Sequence, residues 1–93
     1  MITQTIEVNG NIINLYFDSK SNWVSGNVNG IKFSAKVFDI GSMFGIDNGR
    51  VSKLQIENVC NYDRGWDIEP SEGNVDIYNL VMYALNQIPA RFS

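Results

Sequence analysis

Histidine is absent from this 93-residue chain, and cysteine occurs once, at Cys60. Without histidine there is no imidazole base, no histidine metal ligand and no histidine-dependent triad. A lone thiol makes no internal disulfide, and zinc sites draw on several cysteine or histidine ligands. Proline is confined to Pro70 and Pro89. No stretch of about 18 consecutive apolar residues occurs, which excludes a membrane-spanning helix. The opening Met1-Ile2-Thr3-Gln4-Thr5 has neither the basic nor the apolar region of a secretory signal. A soluble cytoplasmic protein is the resulting expectation. Positive charge is also scarce: 7 Lys and Arg face 10 Asp and Glu, for a net charge of −3 and a pI near 4.6. General nucleic-acid binders carry a basic surface, so direct nucleic-acid binding is not expected.

A hydrophobic fraction of 44% fits a folded chain rather than a disordered one. The length fits one domain, residues 1–93. Asparagine occurs 12 times, and its tolerance of the left-handed conformation makes turns the first place to look for it. Asn9-Gly10 and Asn29-Gly30 each separate two strand-like runs, the signature of a type I′ hairpin. The first hairpin joins Ile2–Val8 to Asn11–Phe17, and the second joins Trp23–Val28 to Ile31–Phe38. Within the latter, Ile31, Phe33, Ala35 and Val37 alternate with Lys32, Ser34 and Lys36, as in a strand with one buried face. A fifth strand is expected over Val51–Glu57 and a sixth from Val59 to Ile68. Pro70 and Gly73 break the pattern. From Asn74 to Ile88 the spacing of Ile77, Leu80, Val81, Ala84, Leu85 and Ile88 describes a helix with one apolar stripe. Asn74 or Ser71 supplies its N-cap, Asp76 sits where the helix dipole favours an acid, and Pro89 ends it. The expected fold is α+β: an antiparallel sheet of five or six strands with one C-terminal helix on one face.

The loop Asp39–Arg50 holds Gly41, Gly45 and Gly49, but Gly45 precedes Ile46-Asp47 rather than the Lys-Ser/Thr of a phosphate loop. Turn geometry explains these glycines better. Cys60 has no base nearby in sequence and reads as a small buried hydrophobe. Acidity concentrates at 63–76, in Asp63, Asp67, Glu69, Glu72 and Asp76. On one extended strand Asp63, Asp67 and Glu69 would share a side. Such a row forms either a solvated face that discourages edge pairing or a carboxylate site, although a hard cation wants about six oxygens. Tyr62, Arg64 and Trp66 would share the opposite side. Tyr, Arg and Trp are enriched at binding hot spots, and they also pack well beneath a helix, with the Arg stem along a ring.

The segments Val37-Phe38-Asp39-Ile40-Gly41-Ser42-Met43-Phe44-Gly45-Ile46-Asp47-Asn48-Gly49-Arg50-Val51-Ser52-Lys53-Leu54 and Asn61-Tyr62-Asp63-Arg64-Gly65-Trp66-Asp67-Ile68-Glu69-Pro70 resemble two motifs of small proteins from phages and mobile elements of Gram-positive bacteria. That resemblance implies a setting, a bacterial host cell, and little chemistry. Taken with the exclusions above, it leads to a non-enzymatic, cofactor-free protein that binds a host protein. A defence nuclease effector is the partner envisaged, inhibited in the manner of an anti-CRISPR. Asp63, Asp67, Glu69, Tyr62 and Arg64 are the candidate partner-binding residues. The alternative is a homo-oligomeric accessory or structural phage protein, a homodimer in its simplest form. An enzyme would have to run on a carboxylate pair alone.

Overall fold

The computed structural model describes residues 1–90, so the last three residues of the expected 1–93 domain lie outside the described ones. Chain order is strand order. Seven antiparallel strands, β1 (Ile2–Val8), β2 (Asn11–Phe17), β3 (Trp23–Val28), β4 (Ile31–Val37), β5 (Val51–Ile56), β6 (Cys60–Asp63) and β7 (Trp66–Ile68), lie side by side as a meander. The helix α1 (Val75–Asn86) follows. Asn9-Gly10 and Asn29-Gly30 take φ of 51°/82° and 51°/80°, the left-handed pair that a two-residue hairpin turn requires. They fix the register of β1 on β2 (Val8 opposite Asn11) and of β3 on β4 (Val28 opposite Ile31).

Side chains alternate across the sheet as the sequence pattern demands. Ile13, Leu15, Phe17, Val24, Val28, Phe33, Ala35, Val37, Leu54 and Ile56 are buried on one face. The helix closes that face with Val81, Ala84 and Leu85, followed by Ile88. Ile77 and Leu80 complete the stripe as half-buried residues packed on the core. Each fully enclosed aliphatic side chain contributes about 1.5–3 kcal/mol, so one helix suffices to lock the sheet. Cys60 is buried among them.

Two expectations about the ends of α1 need adjusting. Neither Asn74 nor Ser71 caps it through a side chain. A 3₁₀ turn, Glu72–Asn74, leads in instead, closed by the Asn74 N–H on the Ser71 carbonyl at 2.9 Å. At the other end the helix stops at Asn86, before Pro89, and Gln87 and Ile88 donate back to Ala84 and Leu85.

The sheet has seven strands rather than five or six because the expected strand Val59–Ile68 is a hairpin. Arg64 adopts φ 57°. The Asp63 N–H donates to the Gly65 carbonyl and the Arg64 N–H to the Ser52 carbonyl, both at 2.9 Å. The chain reverses there, so that Tyr62 pairs with Trp66 and Asn61 with Ile68. Asp67 is the extra residue at that irregularity. The row of Asp63, Asp67 and Glu69 on one strand therefore does not form: Asp63 ends β6, Asp67 lies in β7, and Glu69 follows β7.

Candidate functional site

None of the described elements covers the sheet face opposite the helix, and its composition is mostly polar with cations at the centre. Register aligns four side chains into one row across the middle strands: Trp23 opposite Lys36, Lys36 opposite Lys53, and Lys53 opposite Asp63. The Lys53 ammonium lies 6.0 Å from the Trp23 ring centroid and 3.8 Å from the Asp63 carboxylate. Lys36 sits 5.5 Å from the Phe38 ring centroid. Arg64 Nε is 3.7 Å from the same Asp63 carboxylate. These ion pairs are largely solvated and contribute little to stability.

Beside this row the loop between β4 and β5 borders an open cleft of about 750 Å³. The loop is tied down along its length. The Phe38 N–H donates to the Arg50 carbonyl at 2.9 Å, and Arg50 Nε returns a bond to the Phe38 carbonyl at 2.8 Å. Tyr62 donates its hydroxyl to the Phe44 carbonyl at 2.9 Å, and Ile46 is buried as an anchor. Gly45 is required by close approach, since a Cβ there would overlap the Gly49 carbonyl. The N–H groups of Ser42, Gly45, Asn48 and Gly49 all bond to carbonyls inside the loop. None of those four is left to face an anion, unlike the free N–H groups of a phosphate-binding loop.

The cleft thus combines three cations, Lys36, Lys53 and Arg64, with aromatic walls from Phe38 and Phe44. Asp39 is the one carboxylate lining it among the described residues. Asn22 also lines it, with an enclosed Oδ1 that has no hydrogen-bond partner among the described residues. Of its lining residues Ile40 is 80% exposed and Phe44 is also exposed; Met43, between Ser42 and Phe44 in the loop, is 80% exposed, and Trp23 is exposed on the neighbouring sheet face. Asp39 and the neighbouring Asp63 offset two of the three cations, so this end of an acidic chain is weakly positive beside its exposed apolar side chains.

The five sequence candidates divide. Arg64 lines the cleft, and Asp63 holds Lys53 and Arg64 at its border. Tyr62 is buried: its ring meets Trp66 edge-on at 5.0 Å, and Trp66 meets Tyr78 at 5.6 Å. Tyr62 and Trp66 share a face as expected, half-buried Trp66 packing on the core, whereas Arg64 sits exposed in the turn between them. Asp67 and Glu69 are exposed on the short edge hairpin and line none of the cleft. Lys36, Lys53 and Phe44 are not among the sequence candidates. The alternation of β4 marked Lys36 as outward-facing, but no single-strand pattern reveals its neighbours on β3 and β5.

Burial pushes the Cys60 thiol up, against a weaker opposing hydrogen bond with Ile56. Burial, then the Asp47 carboxylate and smaller effects of Cys60 and Tyr62, pushes Tyr78 up to about 12. Both groups are therefore protonated at neutral pH. No three carboxylate or thiol groups converge among the described residues, and no helix is long and apolar enough to cross a membrane.

No curated protein and no solved structure shows significant similarity to the chain. A family model matches residues 22–86, which span β3 to the end of α1 and hold every cleft residue named above. The chain belongs to that family, described as a domain of unknown function (DUF7678).

Proposed function

We propose that the chain is a non-catalytic binding domain that engages another protein through the cleft beside β4 and β5. One observation carries this reading: Lys36, Lys53 and Arg64 gather with Phe38 and Phe44 around one concavity of a chain that is acidic overall. Aromatic and arginine side chains concentrate binding energy at protein interfaces. Cations around them select a partner whose surface offers carboxylates beside an apolar anchor, and they speed the encounter. The resemblance to phage and mobile-element proteins supports a host protein as that partner. A defence nuclease effector fits, because metal-dependent nucleases assemble carboxylates at their centres, and occluding such a surface would inhibit it without chemistry.

The test is capture of host proteins on the immobilised chain, repeated with two charge reversals. Lys36→Glu with Lys53→Glu should abolish capture of a specific partner. Asp67→Lys with Glu69→Lys should leave it intact. The opposite pattern would move the surface to the β6–β7 hairpin and end the cleft reading.

A further inference from the structure

The two edges of the sheet are built differently. β7 is three residues long and runs into Pro70, a protected edge. β1 is seven residues long, pairs with β2 without a bulge, and contains no proline, no lysine and one charge, Glu7. Long, regular, weakly charged edges are the ones that recruit another strand.

The hairpin turn fixes which backbone groups β1 offers. A two-residue turn makes its flanking residues, Val8 and Asn11, a hydrogen-bonded pair, and pairs then alternate along the ladder. Ile2, Gln4, Ile6 and Val8 bond to β2, so Thr3, Thr5 and Glu7 point their N–H and C=O groups away from it. The same alternation, counted from the Asn29-Gly30 turn, makes Lys32 face β5 and Val37 face β3. The bonds from Glu57 N–H to the Lys32 carbonyl (3.0 Å) and from Val37 N–H to the Asn22 carbonyl (2.8 Å) obey it.

We infer that β1 pairs with β1 of a second copy, antiparallel about a two-fold axis at Thr5. In this register Thr5 faces Thr5 and Thr3 faces Glu7, which satisfies all three outward residues of both strands with six hydrogen bonds. A register centred on Ile6 would make only four. Centring on Thr5 also sets Ile2 of the second copy against Val8, apolar against apolar, and separates the two Glu7 carboxylates by about 14 Å along the strands. Val8, Leu80 and Tyr83 border a groove of about 400 Å³ at that point, and Ile2, itself exposed, comes to its mouth. The axis is perpendicular to the sheet, so the two copies form one fourteen-stranded sheet with both helices on one face and both clefts on the other. β1 lies outside the matched residues 22–86, and the pairing is independent of what the clefts bind.

Sedimentation analysis of the full chain from micromolar to millimolar concentration should show a monomer–dimer equilibrium. Thr5→Pro removes an outward N–H while sparing the backbone bonds to β2, at the loss of the Thr5 hydroxyl bond to Asn14 Oδ1, and should weaken the dimer by about tenfold or more. Thr5→Lys sets two ammonium groups against each other across the axis and should do the same, so it decides the matter if the proline variant misfolds. With a short bismaleimide reagent, Thr5→Cys should cross-link readily and Glu7→Cys poorly, the buried Cys60 being a silent background. A chain that stays monomeric throughout, a folded Thr5 variant that dimerises as tightly as the parent, or equal cross-linking at positions 5 and 7 would each overturn the inference.

Discussion

Gly26 faces the core in the middle of β3, opposite Leu15 on one side and Phe33 on the other. A Cβ built there would overlap both the Asn14 carbonyl and the Phe33 ring. Phe33 is buried and its ring lies across the position an alanine methyl would take. Gly26→Ala therefore forces the ring aside in a closed core, and overpacking of this kind costs about 1–3 kcal/mol. The upper end applies, because one of the two obstacles is backbone. Alanine in a strand regains about 0.5–1 kcal/mol of unfolded-state entropy, leaving a net loss of about 2 kcal/mol. For a chain of this size each kcal/mol moves Tm by about 4–8 °C, so a thermal melt followed by circular dichroism should fall by roughly 10 °C. Phe33→Leu withdraws the far end of the ring. The double variant should be more stable than the sum of the singles predicts, with a coupling of about 1 kcal/mol. Recovery stays incomplete because the Asn14 carbonyl does not move. A Gly26→Ala protein within about 0.5 kcal/mol of the parent, or strict additivity with Phe33→Leu, would refute this account of the packing.

Tyr62→Phe removes the hydroxyl bond that pins the cleft loop at Phe44; urea denaturation should show a loss of about 1 kcal/mol, with faster hydrogen exchange in residues 38–50. Trp66→Ala removes a half-buried ring wedged between Tyr62 and Tyr78 and should cost about 2–4 kcal/mol, somewhat below a fully buried aromatic. Asp67→Lys with Glu69→Lys should hardly change Tm, since exposed charges contribute little. Tyr78 is held protonated in the fold up to about pH 12, against an ordinary value of 10.0. Its contribution to stability is therefore complete below pH 10 and is lost as pH rises from 10 towards 12. Melting curves across that window should fall less steeply for Tyr78→Phe than for the parent.

Where a local rule decided the structure, the sequence was a sufficient guide. Both Asn-Gly hairpins, the alternation of β4 and the stripe of α1 follow from turn chemistry and periodicity. The β6–β7 reversal escaped because its left-handed residue is Arg64, a type that seldom takes that conformation; the one local signal was the neighbouring Gly65, an isolated glycine within a strand-like run. A three-residue turn also preserves the alternation, so Tyr62 and Trp66 share a face with or without it. The cleft was hidden for a different reason. Lys36, Phe44, Lys53 and Arg64 come from β4, the loop after it, β5 and the β6–β7 turn and meet only in the fold, while the negative sum of charges masks their local sign.

The meander has a kinetic meaning as well. Each strand pairs only with its sequence neighbours, so the hydrogen-bonded sheet can grow by successive short loop closures, each inexpensive in chain entropy. The docking of α1 is the exception, because the helix returns from residues 75–86 to pack mainly on β2, at residues 11–17. That single distant closure is what converts a zipped sheet with a bare apolar face into a sealed core. The folding barrier should accordingly sit at helix docking: substitutions at Val81 or Leu85 that spare the strands should act on the rate of sealing, and a chain cut before Val75 would keep its strand pattern while exposing the surface that drives aggregation.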